Sequence, residues 1–205
     1  RTMLAEWSGR AAQLLAPVID AMMSELRRSD RLQMDETTVP VLAPGTGEVR
    51  TDWLWVVLRD QRGWGGGDPP IVVFHHARSR AGKVAQEILT GFSGGTLLVD
   101  GHGGYDQLAD PKKTAKPWDI AYCWTHWRRR FVKFAKDTPS EICDEMVERI
   151  AQLYAIEKEI RGRDPATRVK IRQRFSRPIV EALRPWLEGC LQQLSSTNEL
   201  TRHIR

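Results

Sequence analysis

The sequence predicts an α/β protein with a mixed sheet, followed by an all-helical region. Three observations lead there. Short apolar runs, alternating or β-branched, recur between residues 32 and 124. Turns too short for a helix separate the first three runs, whereas helical spacing intervenes before the fourth. From Thr138 onward, apolar residues return only at helical intervals.

The elements follow in chain order. Leu4, Trp7, Ala11, Leu14, Leu15, Val18, Met22 and Leu26 have the spacing of a helix, one that Pro17 could restart. The period then changes. Leu32 and Met34 alternate with Gln33 and Asp35, and residues 37–42 are β-branched around Pro40, a mark of an edge or a bend. Residues 43–47 form a turn. Residues 53–58 are apolar on both faces and make a central strand. A Gly- and Pro-rich loop over 60–70 leads to a third strand at 71–74, completing an antiparallel meander. Residues 83–89 form a short helix ending near Gly91, residues 97–100 a fourth strand, and residues 120–124 a weaker fifth.

In the helical region, Thr138 is expected to cap a helix with Pro139 at its first position and Glu141 at its third. The stripe Ile142, Met146, Ile150, Leu153, Ile156 and Ile160 follows. Asp164 and Pro165 open another helix, which Pro178 interrupts. Ile179, Leu183, Leu187, Leu191 and Leu194 mark a last one, which Pro185 should kink or shorten. The expected regions are an N-terminal helical segment (1–28), a sheet-bearing core (29–138) and a helical insertion (139–205).

Composition narrows the function classes. A chain of 205 residues that is 41% hydrophobic and 28% charged is that of an ordinary globular protein. No apolar run approaches the roughly 20 residues of a membrane helix, and residues 1–4 do not begin a signal peptide. Cys123, Cys143 and Cys190 are widely spaced without a CxxC pair, which favours a reducing compartment, here the cytoplasm. Residues 112–136 contain eight Lys or Arg against one acid, Asp119, so this segment carries +7 of a net +5 and the rest sums to −2. Such a patch attracts a polyanion, although a solvated helix face would look the same.

Two strand-like runs each end in a carboxylate: Leu32-Gln33-Met34-Asp35 and Leu97-Leu98-Val99-Asp100. A charge at the end of an apolar strand is costly unless it is paired, hydrogen-bonded or on a metal. If the strands are neighbours in compatible register, both carboxylates meet at one sheet edge, where hard oxygen ligands suit Mg²⁺ or Mn²⁺ and in-line phosphoryl transfer. Each Asp could equally cap a turn. Cys123 and His126 have the spacing of half a zinc site, but the other half is missing, and a packed structural role is the better reading. Residues 127–131 interleave aromatics with arginines, as phosphate-contacting helices do. The Gly-rich run 63–67 lacks the Lys-Ser/Thr of a phosphate loop and leads to a strand.

These residues resemble transposases of the insertion sequence 66 type, members of the DDE group with a ribonuclease-H-like catalytic fold. Asp35-Glu36-Thr37-Thr38-Val39-Pro40 is similar to the family's first-aspartate block. Arg62-Gly63-Trp64-Gly65 through Pro70 is similar to its hairpin, and Gly91-Phe92-Ser93-Gly94 leading to Asp100-Gly101 and Gly104-Tyr105 to its second-aspartate block. Cys123-Trp124-Thr125-His126-Trp127-Arg128-Arg129 resembles its Cys-Trp-x-His-x-Arg-Arg signature, and Leu153–Glu157 with Ser176-Arg177-Pro178 its helical insertion.

The resemblance implies a ribonuclease-H-like sheet flanked by helices and metal-dependent cleavage and strand transfer on transposon-end and target DNA. Asp35 and Asp100 would be the first two catalytic metal ligands, with Mg²⁺ or Mn²⁺ as cofactor. Arg128, Arg129, Arg130 and Lys133 would contact DNA, with Cys123 and His126 supporting that helix. The third acid belongs to an Asn-Asn-x-x-Glu segment, and the one asparagine, Asn198, cannot supply it. The chain is therefore expected to be a piece of a bacterial transposase, inactive or nearly so alone, whose parent assembles as a homo-oligomer. His102 and Pro185 depart from the family pattern. Two alternatives remain: a nuclease of this fold without strand transfer, and a non-catalytic DNA-binding remnant.

Overall fold

The computed structural model describes residues 2–114 and 116–204, so Arg1, Ala115 and Arg205 at the ends and inside the expected regions lie outside the described residues. Five strands and seven α-helices follow in the order α1 (Thr2–Leu26), β1 (Arg31–Ala43), β2 (Glu48–Arg59), β3 (Ile71–Ala77), α2 (Gly82–Ile88), β4 (Gly95–Val99), β5 (Trp118–Tyr122), α3 (Trp124–Asp137), α4 (Glu141–Glu159), α5 (Pro165–Ile171), α6 (Arg177–Gln193) and α7 (Glu199–Ile204). They form two compact units. One comprises residues 1–61 and 67–122, the other residues 62–66 and 123–205.

The first unit holds a single mixed sheet in the order β3-β2-β1-β4-β5. The meander is present: β1 pairs with β2 and β2 with β3, both antiparallel. Turn residues too few for a crossover leave no other pairing. β4 then pairs with β1 in parallel, and β5 with β4 in parallel. Each parallel step needs a crossover. α2 supplies one, and the stretch containing a 3₁₀ turn at Gly103–Leu108 supplies the other.

One sheet face carries the core. Leu32, Met34, Trp55, Val57, Val73, Leu97 and Val99 alternate onto it and are buried with Met23 and Leu26 of α1, Ala85 of α2, and Tyr105 and Leu108 of the 3₁₀ turn. The apolar stripe of α1 is thus divided. Its last turns enter the core, while Leu4, Trp7, Leu14, Leu15 and Val18 are exposed.

Pro17 does not restart its helix, whereas Pro40 falls where an edge was expected. α1 runs unbroken through Pro17. Pro40 lies inside β1, opposite Thr51 of β2. The β1–β4 ladder covers only residues 31–33 of β1, so at Pro40 the other edge of β1 has no strand partner and the missing N–H breaks no ladder bond there. β5 begins at Trp118 rather than residue 120, because Trp118 pairs with Gly95 and buries its ring, and Trp124 already belongs to α3.

The second unit packs α3, α4, α6 and α7 around Phe131, Cys143, Met146, Ile150, Leu183, Leu187 and Leu200. Ser140, not Thr138, caps α4, its Oγ accepting from the Cys143 N–H. Pro139 accordingly precedes the helix instead of starting it. Pro178 does not interrupt the helical path: a π-helical turn, Arg172–Ser176, joins α5 to α6, and Pro178 falls in the first turn of α6, where its absent N–H costs nothing. α6 also passes through Pro185, held on either side by the buried Leu183 and Leu187. Among the described residues no helix is long and apolar enough to cross a membrane.

Candidate functional site

β1 and β4 are neighbours and lead towards the two predicted aspartates. Their parallel register pairs Arg31 with Thr96, Leu32 with Leu97 and Gln33 with Leu98. Two more steps along each strand arrive at Asp35 and Asp100, on the same face as Gln33 and Leu98 because side chains alternate. Gly95 fixes this register. Its φ is +131°, and a Cβ there would come within 2.2 Å of the Asp30 carbonyl oxygen. β4 therefore starts flush against the residue before β1, with the Thr96 N–H donating to Asp30 O at 2.8 Å.

The two carboxylates are not equivalent. Asp100 follows the last residue of β4, as expected, whereas Asp35 sits well inside β1, which continues to Ala43 because β2 keeps pairing with it as far as Glu48. Backbone amides orient both side chains: the Glu36 N–H donates to Asp35 Oδ1 at 2.9 Å, and the His102 N–H to Asp100 Oδ1 at 2.8 Å.

A third carboxylate, Glu36, was not singled out by the sequence reading. It shares the core face with Leu32 and Met34 and lies opposite Trp55 on β2. Its side chain is 0% exposed. Such a charge must be paired. Arg80, from the loop between β3 and α2, donates through Nε to Glu36 Oε1, and the Tyr105 hydroxyl donates to Glu36 Oε2. Arg80 also reaches Asp100, with Nη2 3.2 Å from Oδ2, and its guanidinium lies 5.3 Å from the Trp53 ring centroid. Burial opposes the Arg80 charge, but the Glu36 bond and the charges of Glu36 and Asp100 more than offset it, so its pKa is raised. Burial first, then the Glu36 hydrogen bond, pushes the Tyr105 phenol well up, which keeps it a donor. Trp55 closes the inner side, its ring meeting Tyr105 edge-on at 6.1 Å and its Nε1–H donating to Ser79 O at 3.2 Å. The signal available in the sequence was the alternation itself: Leu32, Met34 and Glu36 fall on one face, and a lone Glu at the end of an apolar face calls for a cation.

The other predicted residues lie on α3 in the second unit. Arg129 and Lys133 are exposed one helical turn apart, while Arg128 and Arg130 are half-buried. Arg128 Nε is enclosed and makes no hydrogen bond among the described residues. Cys123 is the N-cap residue of α3 and carries a free thiol, and His126 is half-buried one turn further on. Trp127 anchors α3 to α7 by donating to His203 O at 2.9 Å. The basic segment read as one patch is divided between the units, with Lys112, Lys113 and Lys116 in the first and Arg128 to Lys136 in the second.

Comparison with known proteins identifies the family. A family model described as the Transposase IS66 family matches residues 1–205. An uncharacterized protein of Sinorhizobium fredii, y4qI, is 34% identical over 208 residues, covering 100% of this chain and 38% of its own length. A second from the same organism, y4jD, is 34% identical over 207 residues, covering 100% of this chain and 40% of its own. The chain thus spans about two fifths of the length of these relatives. With the match extending over its full length, the chain belongs to the IS66 transposase family.

Proposed function

We propose that these residues form part of the catalytic domain of a DDE transposase, with a ribonuclease-H-like sheet, and that Asp35 and Asp100 are two of its metal ligands. The observation that carries the reading is the β1–β4 register, which leads both aspartates to one end of the ladder on one face. The sheet order, with three antiparallel strands followed by two parallel ones, and family membership support it.

The donors fit a hard divalent cation in kind, being carboxylate oxygens. A cation already sits on one of them, the Arg80 guanidinium on Asp100. In number they are two, since no group of three or more His, Cys, Asp or Glu placed to share an ion occurs among the described residues. Asp35 and Asp100 would hold Mg²⁺ or Mn²⁺, and the proposal assigns the third acid to the Asn-Asn-x-x-Glu segment of longer family members. A bound ion supplies Lewis-acid activation of a water or 3′-hydroxyl and charge stabilisation at the phosphorus. The amides of Glu36 and His102 aim the two carboxylates, and Arg129 and Lys133 hold DNA phosphates.

Two measurements test this. Mn²⁺ titrated into the wild type and into Asp35→Asn/Asp100→Asn should bind the double variant about tenfold more weakly or worse, a difference of about 1.4 kcal/mol. Equal binding removes the metal assignment. For the DNA contact, Arg129→Ala/Lys133→Ala should lower the slope of log K against log salt by about 2 units, since each phosphate contact contributes about 0.9. An unchanged slope would put the phosphate contacts elsewhere.

A further inference from the structure

We infer that Arg80 is a retractable cation built into the carboxylate site: it occupies Asp100 when no metal ion is present and yields Asp100, but not Glu36, when an ion enters. The inference rests on the metal reading above and assigns Arg80 the part of a positioning residue.

The geometry gives the two ends of the guanidinium different duties. At the inner end, Nε is bonded to Glu36, whose side chain is fully buried and whose other oxygen is taken by Tyr105. That attachment cannot be given up without stranding a buried charge. The central carbon of the guanidinium lies over the Trp53 ring, a further hold independent of any carboxylate. At the outer end, Nη2 meets Asp100 Oδ2 at 3.2 Å, and both partners reach solvent, Arg80 being 36% and Asp100 15% exposed. This part-buried contact is the weaker of the two, because Asp100, unlike Glu36, keeps some access to water. Water can take its place at the Asp100 end.

Charge makes the outer contact useful. Asp35 and Asp100 each stand two residues past the last pair of the β1–β4 ladder, and carboxylates gathered at one sheet end repel. A resident guanidinium offsets part of that repulsion while no metal is bound. A divalent ion offsets it better, but an ion on Asp100 Oδ2 competes with Nη2 for the same oxygen. Because Glu36 and Trp53 keep the inner end, only the outer nitrogens need to move. The guanidinium is rigid and planar, so it spans both carboxylates at once, which a single ammonium cannot do.

Arg80→Lys exploits that difference. Lysine keeps the positive charge and can pair with Glu36, but loses the bridge to Asp100. Mn²⁺, followed through the free-ion signal in electron paramagnetic resonance, should bind Arg80→Lys about threefold tighter than wild type, the worth of one partly solvated ion pair. Unchanged or weaker binding would overturn the inference, the latter showing that Arg80 supports Asp100 instead of competing for it.

A second measurement needs no variant. In ¹⁵N spectra of the wild-type Arg80 side chain, Mg²⁺ should speed rotation of the outer NH₂ groups and leave the Hε signal protected. Loss of Hε protection, or no change in either at saturating ion, overturns it. If Asp35→Asn/Asp100→Asn leaves Mn²⁺ binding intact, the metal site itself is wrong. If that double variant loses the ion while Arg80→Lys matches wild type, the role given to Arg80 alone falls.

Discussion

Trp55→Ala is expected to cost about 4 kcal/mol of stability, the largest single loss available in the sheet-bearing unit. Trp55 is 1% exposed, and its removal leaves a cavity at the centre of the core rather than at its margin. It lies across from Glu36 on β1 and pairs with His75 on β3, so the void opens beneath all three antiparallel strands. The indole also donates to Ser79 O and meets Tyr105 edge-on. Truncation therefore frees the loop that carries Arg80 and the ring that carries the second hydrogen bond to Glu36. Trp55→Phe should cost about half as much, since it keeps most of the volume and loses the N–H. Because the chain has two compact units, the measurement should be local: amide hydrogen exchange across β1, β2 and β3 under native conditions. A loss below about 1 kcal/mol would mean that the core collapses around the vacancy, and that Trp55 does not support the site.

Arg80→Ala is expected to cost about 3 kcal/mol at neutral pH, for a different reason. The arginine itself is partly solvated, so little of the penalty comes from its own lost contacts. Most comes from Glu36, left fully buried with only the Tyr105 hydroxyl to answer its charge. The signature is in the double variant. Arg80→Ala/Glu36→Gln should recover most of the loss, because a neutral amide can still accept from Tyr105 without a buried charge to compensate. Urea denaturation of the four proteins in the cycle gives the coupling. Losses that simply add would show that Arg80 and Glu36 act independently.

The sheet was largely legible because its strands are bracketed by turn chemistry that admits one pairing. The runs 43–47 and 60–70 hold no crossover helix, only a single 3₁₀ turn at Arg62–Trp64, so β1, β2 and β3 had to form a meander. β1 was harder. Its far half is only half-buried, at Val39, Val41 and Ala43, and what keeps it extended is the ladder with β2, a tertiary fact. Prolines were over-weighted: a π turn precedes Pro178 and the buried Leu183 and Leu187 flank Pro185, while α1 runs through Pro17 in an exposed stretch with no packing to explain it. In the site, the aspartates stood out because each follows apolar residues. Glu36 was eclipsed by Asp35 beside it, although the two face opposite sides of the sheet. Arg80 was illegible, because a loop arginine 44 positions from its partner leaves no mark in local pattern.

Gly95 turns the first unit into a measuring device. Because its backbone abuts Asp30, both strands are counted from one common origin, and both aspartates stand five residues beyond it. The 44–47 turn and the 60–70 loop lie outside that count, so their lengths do not enter it. An extra residue between 30 and 35, or between 95 and 100, would turn one carboxylate to the opposite face. An insertion in either stretch of five residues is thus expected to cost the site, whereas one in the 44–47 turn leaves the count intact. What descent has to preserve there is a parity.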